Sequence, residues 1–185
     1  MYAITTVSDT SQIEGIHQLQ KRNLKSSLTV DEISSEGFVT CDHTVSLLSR
    51  MNSPYPHVIS LYRDQVVGYT LVMLEELREE IDVLVSMFDQ IDTIIYKDSS
   101  LNGASYFVMG QVCISREHRS QGLFNQMYHH MKTIMRKDFD FCITEIATDN
   151  MRSRKAHRRV GFKHVHTYID EMSGQSWELV LWDWR

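Results

Sequence analysis

Proline is nearly absent from this chain: there are two in 185 residues, Pro54 and Pro56, both inside Asn52-Ser-Pro-Tyr-Pro56. With no other Pro-rich or low-complexity stretch there is no linker signal, and the turn at 52–56 is a local feature. One domain over 1–185 is the expectation, since a domain takes roughly 100–200 residues. Cysteine is also scarce. Cys41, Cys113 and Cys142 are odd in number and form no Cys-x-x-Cys pair, which excludes a disulfide framework and a thiolate zinc site. A reducing, cytoplasmic setting fits that usage. Positive charge is not in excess, with 19 Lys and Arg against 24 Asp and Glu. A general nucleic-acid binder carries a basic surplus, so nucleic acid is not an expected partner. No apolar run approaches the ~18–20 residues of a membrane helix. The opening MYAITTVSDTSQ lacks the basic start and apolar stretch of a secretion signal, so a membrane partner is not expected either. The chain does contain an ordinary globular mixture, 42% hydrophobic and 23% charged, sufficient for a core.

Periodicity orders the elements. Residues 2–7 are β-prone. Ser8-Asp-Thr-Ser11 offers N-cap residues ahead of Ile13, Ile16 and Leu19 at helical spacing. Residues 24–42 are mixed and yield no assignment, and 43–51 reads as a helix. Runs 57–62 and 66–73 are strand-like and joined at Arg63-Asp64-Gln65, a hairpin. Residues 75–96 read as one helix and 99–103 as a loop. A strand at 106–114 is followed by a helix opened by Gly122, a strand at 141–147, and a helix at 150–160 stopped by Gly161. Strands at 164–169 and 177–182 close the chain. A hairpin early and β-α-β-α units late predict an α/β fold with helices on a mixed sheet.

The most informative stretch is Val112-Cys-Ile-Ser-Arg-Glu-His-Arg119-Ser-Gln-Gly122-Leu-Phe124. A strand ends, an Arg follows, and a Gly opens a helix. Helix N-termini present unpaired N–H groups and partial positive charge, which suits phosphate. Gly122 lets backbone approach an anion, and Arg119 offers a forked donor. Neither the P-loop nor the dinucleotide glycine motif occurs. On its own the pattern is equally an ordinary strand-to-helix turn with a surface Arg.

A second segment, Glu145-Ile-Ala-Thr-Asp-Asn150-Met-Arg-Ser153-Arg-Lys-Ala-His157-Arg-Arg-Val-Gly161-Phe162, changes the reading. Together the two stretches resemble the GNAT superfamily of N-acetyltransferases. Val112-Cys-Ile114 and Arg119-Ser-Gln-Gly122-Leu-Phe124 match its first motif. Asn150, Ser153, His157 and Gly161-Phe162 fall at the spacing of its second. The motifs cover roughly 106–169, and the N-terminal part fits in order and type. Phe124 stands where the family carries Gly or Ala, and His157 where it usually carries Tyr. The resemblance implies a twisted, mostly antiparallel mixed sheet of six to seven strands flanked by helices. Its splayed parallel strands form a cleft for acetyl-CoA. It further implies that the backbone of Val112, Cys113 and Ile114 pairs with the pantetheine arm. The N–H groups of Ser120, Gln121, Gly122, Leu123 and Phe124 would hold the pyrophosphate, with Arg119 beside it. Asn150 would orient the cofactor, Ser153 would accompany it, and His157 would point at the thioester sulfur.

The implied reaction is direct transfer of an acetyl group to a primary amine. It needs a neutral amine, an oxyanion stabiliser and a proton for the thiolate. A lysine-type amine with pKa ~10.4 is only ~0.1% neutral at pH ~7.4, whereas an α-amine near ~7.8 is about a quarter neutral. Glu145 is the candidate base. Family members that acetylate ribosomal-protein N-termini place a strand Glu twelve residues before their Tyr, as Glu145 precedes His157. The alternative for Glu145 is a solvent-facing side chain or a pair with an Arg of 152–159. His157 is the candidate acid, and its alternative is packing or a CoA contact. An acyl-CoA-binding sensor or interaction module without turnover would carry the same motifs, and a longer acyl donor stays open. The family frequently forms homodimers.

Other residues carry blander readings. Cys113 is a packed strand thiol. His129, His130, His164 and His166 are surface histidines without a carboxylate at ligand spacing, so no metal is expected. Met127, Met131 and Met135 are core, and Trp177, Trp182 and Trp184 cover the closing sheet. Arg152–Arg159 and the acidic run from Glu75 are solvated faces.

Overall fold

The computed structural model describes the backbone of all 185 residues and the side chains of 1–33, 37–81 and 84–185. The elements run β1 (Tyr2–Thr6), α1 (Thr10–Asn23), α2 (Val30–Glu36), α3 (Val45–Met51), β2 (Val58–Tyr62), β3 (Gln65–Met73), α4 (Asp82–Thr93), β4 (Ile95–Tyr96) and β5 (Ser99–Ser100). They continue with β6 (Tyr106–Ile114), α5 (Leu123–Met135), β7 (Phe141–Ala147), α6 (Met151–Val160), β8 (Lys163–Ile169) and β9 (Ser176–Asp183). Seven strands form one mixed, mostly antiparallel sheet, order β1-β2-β3-β6-β7-β9-β8, flanked by helices, as the resemblance implied. No helix is long and apolar enough to cross a membrane among the described residues.

Contacts group the chain into two compact units, Met1–Met73 with Met109–Met135, and Leu74–Val108 with Arg136–Arg185, so β6 begins in the second and ends in the first. In the first unit, Asp9 caps α1 by accepting from the Gln12 N–H at 3.1 Å. Ile13, Ile16 and Leu19 then share its buried face. Gly15 makes the close approach of α1 to β3 possible: a Cβ there would sit 2.9 Å from Val66 Cγ2. Gly68 meets the Met127 methyl of α5 instead, where a Cβ would lie 3.3 Å away. Arg63 and Asp64 both take left-handed backbone (φ 50° and 61°), the conformation a two-residue hairpin turn requires. Met127, Met131 and Met135 are fully buried, as their spacing predicts.

In the second unit β7 pairs antiparallel with β9, and β9 with β8. Direct partners share a face of the sheet, so Glu145, Leu179 and His166 lie on one face together with Ala147, Trp177 and Tyr168. Glu178, Val180 and Trp182 occupy the other. Helix α4 meets the first face, where Gln90 bonds His166 at 3.1 Å. Helix α6 meets the second, where Arg154 grips Glu178. Trp177 and Trp182 are buried, as expected.

The expected single helix at 75–96 is corrected. Glu75–Glu80 is a 3-10 turn, Ile81 is extended (φ −137°, ψ 98°), and α4 starts only after it. Arg78 holds this fold-back by pairing with Glu75, Asp89 and Asp92 at 3.4, 2.7 and 3.1 Å. The acidic run is therefore partly neutralised rather than a plain solvated face. The loop expected at 99–103 contributes β5, which pairs with β4. The unassigned 24–42 stretch contains α2, started by a capping box between Thr29 and Glu32.

Candidate active site

In the first unit a loop follows β6. A 3-10 turn at Arg116–His118 leads to Arg119. Ser120 (φ 63°) and Gly122 (φ 75°) are both left-handed. A Cβ at Gly122 would meet only the Gln126 side-chain nitrogen, at 3.5 Å, so conformation and not room calls for glycine there. The first helical bond of α5 is Gln126 N–H to the Gly122 carbonyl. The N–H groups at the start of α5 thus point out of the helix end, beside exposed Ser120, Gln121 and Gly122. That donor set fits a pyrophosphate. Phe124 lays its ring against Tyr128 at 4.9 Å between centroids.

Arg119 bonds toward the end of α1. Its Nε donates to the Ile114 carbonyl at 3.0 Å and its Nη2 to Asn23 Oδ1 at 2.9 Å. Asn23 in turn donates to the Leu19 carbonyl at 2.9 Å. The guanidinium therefore clamps the loop to the end of α1. Beside it lies a cavity of roughly 190 Å³ lined by Arg22, Glu32, Arg116 and Glu117 among others, with Arg116 paired to Glu32 at 2.8 Å. Cys113 is buried and its thiol is pushed up to about 12 by that burial, which leaves no thiolate for catalysis. The β6–β7 ladder covers only Tyr106↔Phe141 to Val108↔Ile143, although β6 runs on through Val112, Cys113 and Ile114.

In the second unit Glu145 is partly buried. Burial is the main force on its carboxyl and, with the nearby Asp170 charge, pushes it up to about 7, against a downward pull from the Tyr168 hydrogen bond. Tyr168 Oη donates to Glu145 Oε2 at 2.5 Å. Oε1 accepts no hydrogen bond from any described residue and is not sealed from solvent. The Arg of the 152–159 run that might have taken Glu145 pairs with Glu178 instead: Arg154 Nε donates to Glu178 Oε2 at 2.8 Å.

Asn150 caps α6, its Oδ1 accepting from the Ser153 N–H at 3.1 Å. His157 is buried, and burial lowers its imidazole to about 4, so it is neutral at pH 7. Its Nδ1 lies 2.9 Å from the Ser153 carbonyl, which can only accept, so Nδ1 carries the proton and Nε2 the lone pair. A neutral imidazole in that tautomer has no proton to offer at Nε2. It packs edge-on to Phe162 at 5.1 Å, on the α6 face of the sheet. Glu145 occupies the other face, so the expected base and acid are not brought together. Among the described residues no group of three or more His, Cys, Asp or Glu is placed to hold a metal ion.

Tyr168 and Asn23 were not singled out from sequence. Neither sits in a motif: Tyr168 reaches Glu145 through strand register, and Asn23 reaches Arg119 across 96 positions.

No family model matches the chain, and no curated protein matches it. Solved structures do. The ribosomal-protein-S18-alanine N-acetyltransferase of Escherichia coli superposes with a TM-score of 0.64 at 8% identity, covering 99% of this chain and 94% of that one. A chain of the NatC complex bound to Gag peptide and CoA gives 0.67 at 8%, covering 100% and 99%. A GNAT-family protein from Desulfovibrio desulfuricans gives 0.64 at 9%, covering 99% of each. The chain has the GNAT acetyltransferase fold. At these identities the likeness is one of backbone.

Proposed function

We propose that this protein transfers an acetyl group from acetyl-CoA to a primary amine. The observation that carries the reading is Glu145: a carboxylate with one oxygen tied by Tyr168, the other open, and an affinity for protons centred near pH 7. A general base works best when its pKa lies near the working pH. The loop N–H groups of Ser120–Phe124 hold the pyrophosphate of the acyl donor, and Arg119 keeps that loop in shape.

Glu145 Oε1 takes the first proton from the ammonium form of the acceptor. The freed lone pair attacks the thioester carbon, and a tetrahedral adduct forms. As the C–S bond breaks, the second nitrogen proton neutralises the departing thiolate. His157 gives no proton in this scheme. Its Nδ1–H is held by the Ser153 carbonyl and its ring packs on Phe162.

The base also indicates the acceptor. Moving a proton from an amine of pKa ~7.8 to a carboxyl near 7 costs about 1 kcal/mol, whereas from a lysine amine of ~10.4 it costs about 4–5 kcal/mol. An α-amine, as on a peptide N-terminus or an amino acid, is the better match. One protein of the same fold is a ribosomal-protein-S18-alanine N-acetyltransferase, and another belongs to a complex bound to Gag peptide and CoA, which supports this choice. The test is release of CoA thiol with acetyl-CoA and a panel of N-terminal peptides, amino acids, polyamines and aminoglycosides. Release is expected with α-amines first. Silence across the panel with acetyl-CoA binding intact by calorimetry would favour a binding module over an enzyme.

A further inference from the structure

We propose that Tyr168 is the positioning residue that makes Glu145 a one-oxygen base, donating its phenol proton to Oε2 so that Oε1 alone faces the acceptor. This rests on the reading of Glu145 as the base. The strand register places the two on one face, since Tyr168 is aligned with Trp177 and Ala147, two residues along from Glu145. A carboxylate free to spin presents either oxygen, and its rotation competes with proton transfer. One fixed by a 2.5 Å phenol bond presents one oxygen in a defined direction.

The surroundings hold the phenol in turn. His166 stacks on the Tyr168 ring, 8° from parallel, and is itself bonded to Gln90 of α4. Ser86, one turn earlier on α4, lies beside the Tyr168 hydroxyl and beside Asp170. Asp170 is fixed in the turn after β8 by Ser173, whose N–H and hydroxyl both donate to it. Other charges near this face are already paired: Asp89 and Asp92 of α4 are held by Arg78. From β9 the neighbours are Leu179 and Trp177, while Glu178 turns to Arg154. Asp170 is therefore the charge that Glu145 and Tyr168 both sense.

A phenol that donates to the carboxylate favours its charged form, so removing it moves the proton affinity up. The test uses full-length protein with ¹³C-labelled glutamate carboxyls. The Glu145 signal is assigned by its loss in Glu145→Gln, then titrated in wild type and Tyr168→Phe. The midpoint is expected to rise by roughly half a unit to one unit in the variant. The acid limb of the acetyl-transfer pH profile is expected to move with it, with KM for acetyl-CoA unchanged. A merely structural role would lower the rate evenly at every pH and leave the midpoint in place, and an unmoved midpoint overturns the proposal. In case Tyr168→Phe fails to fold, the wild type carries its own readout. The ¹³Cζ signal of Tyr168 is expected to step at the Glu145 midpoint, and a flat signal overturns the proposal equally. Unimpaired transfer in Glu145→Gln would instead remove the base reading itself, whatever Tyr168 does.

Discussion

The Arg119 guanidinium bonds the Ile114 carbonyl and Asn23, and a charged hydrogen bond of that kind contributes about 1.5–3 kcal/mol. It acts on the phosphate loop through the backbone. Arg119→Ala is therefore expected to weaken CoA binding about tenfold in calorimetry. Asn23→Ala, which touches none of the loop N–H groups, is expected to weaken it several-fold too. If Arg119 met the phosphates directly, the Asn23 variant would bind as wild type does. His157 shows the same distinction between what a residue is and what its setting allows. An imidazole is ordinarily half-charged near pH 6.5. Here burial removes the charge, and the Ser153 carbonyl claims the one proton left.

Two glycines at helix ends separate conformation from space. Gly122 (φ 75°) has open room for a Cβ, whereas at Gly161 (φ 122°) a Cβ would stand 2.8 Å from Trp182 Nε1. Gly122→Ala is expected to cost about 1–2 kcal/mol of left-handed strain. Gly161→Ala is expected to cost more, because backbone strain and an indole clash add. Urea melts of the two variants measure the difference. The elements framing these glycines were legible in sequence. The strands at 106–114 and 141–147 have the observed bounds, because each is a mainly apolar run with a marked end, and α6, a polar helix, begins one residue after its Asn150 cap and stops at Gly161. The 75–96 stretch was misread because Leu84, Phe88 and Ile91 are helical in spacing and the acidic residues before them are good helix formers. Arg78, paired with nearby Glu75 and with Asp89 and Asp92 of α4, shows that the chain folds back there. The Thr29-Val-Asp-Glu32 capping box was present to be read, but seven residues of helix leave little periodicity behind it. Within the candidate site, the motif residues were legible as positions. Their use was not, since Asn150 as a cap, Arg119 as a clamp and Tyr168 as the partner of Glu145 are all decided by neighbours brought in by the fold.

Across the whole molecule, buried titrating groups set the pH range of stability. His43, His57 and His157 are each lowered by burial to about 4 from the ordinary 6.5. Between those values the unfolded chain binds more protons, so stability rises with pH. The contribution is complete above 6.5 and is lost as pH falls through 4, about 3 kcal/mol each at most. His57 makes this loss structural, because Nδ1 accepts from the Val72 N–H at 3.0 Å while Nε2 bonds the Leu48 carbonyl at 3.0 Å, and protonation breaks the first of these. Urea midpoints are expected to fall steeply from pH 6.5 to pH 4.5. Glu145 has the opposite sign. Raised from 4.5 to about 7, it favours the fold below 4.5 and loses that advantage as pH rises through 7. Glu145→Gln is accordingly expected to stabilise the protein at pH 8 while it disables catalysis, the pattern of a functional group held at a cost to stability. The most direct measurement is the rate of CoA-thiol release from acetyl-CoA with an N-terminal peptide, from pH 5.5 to 9, for wild type and Glu145→Gln. A wild-type rate that rises through about pH 7, and falls ~100-fold or more in the variant at unchanged CoA affinity, is the expected result. A variant as active as wild type, or a wild type that binds acetyl-CoA and releases none, would contradict it.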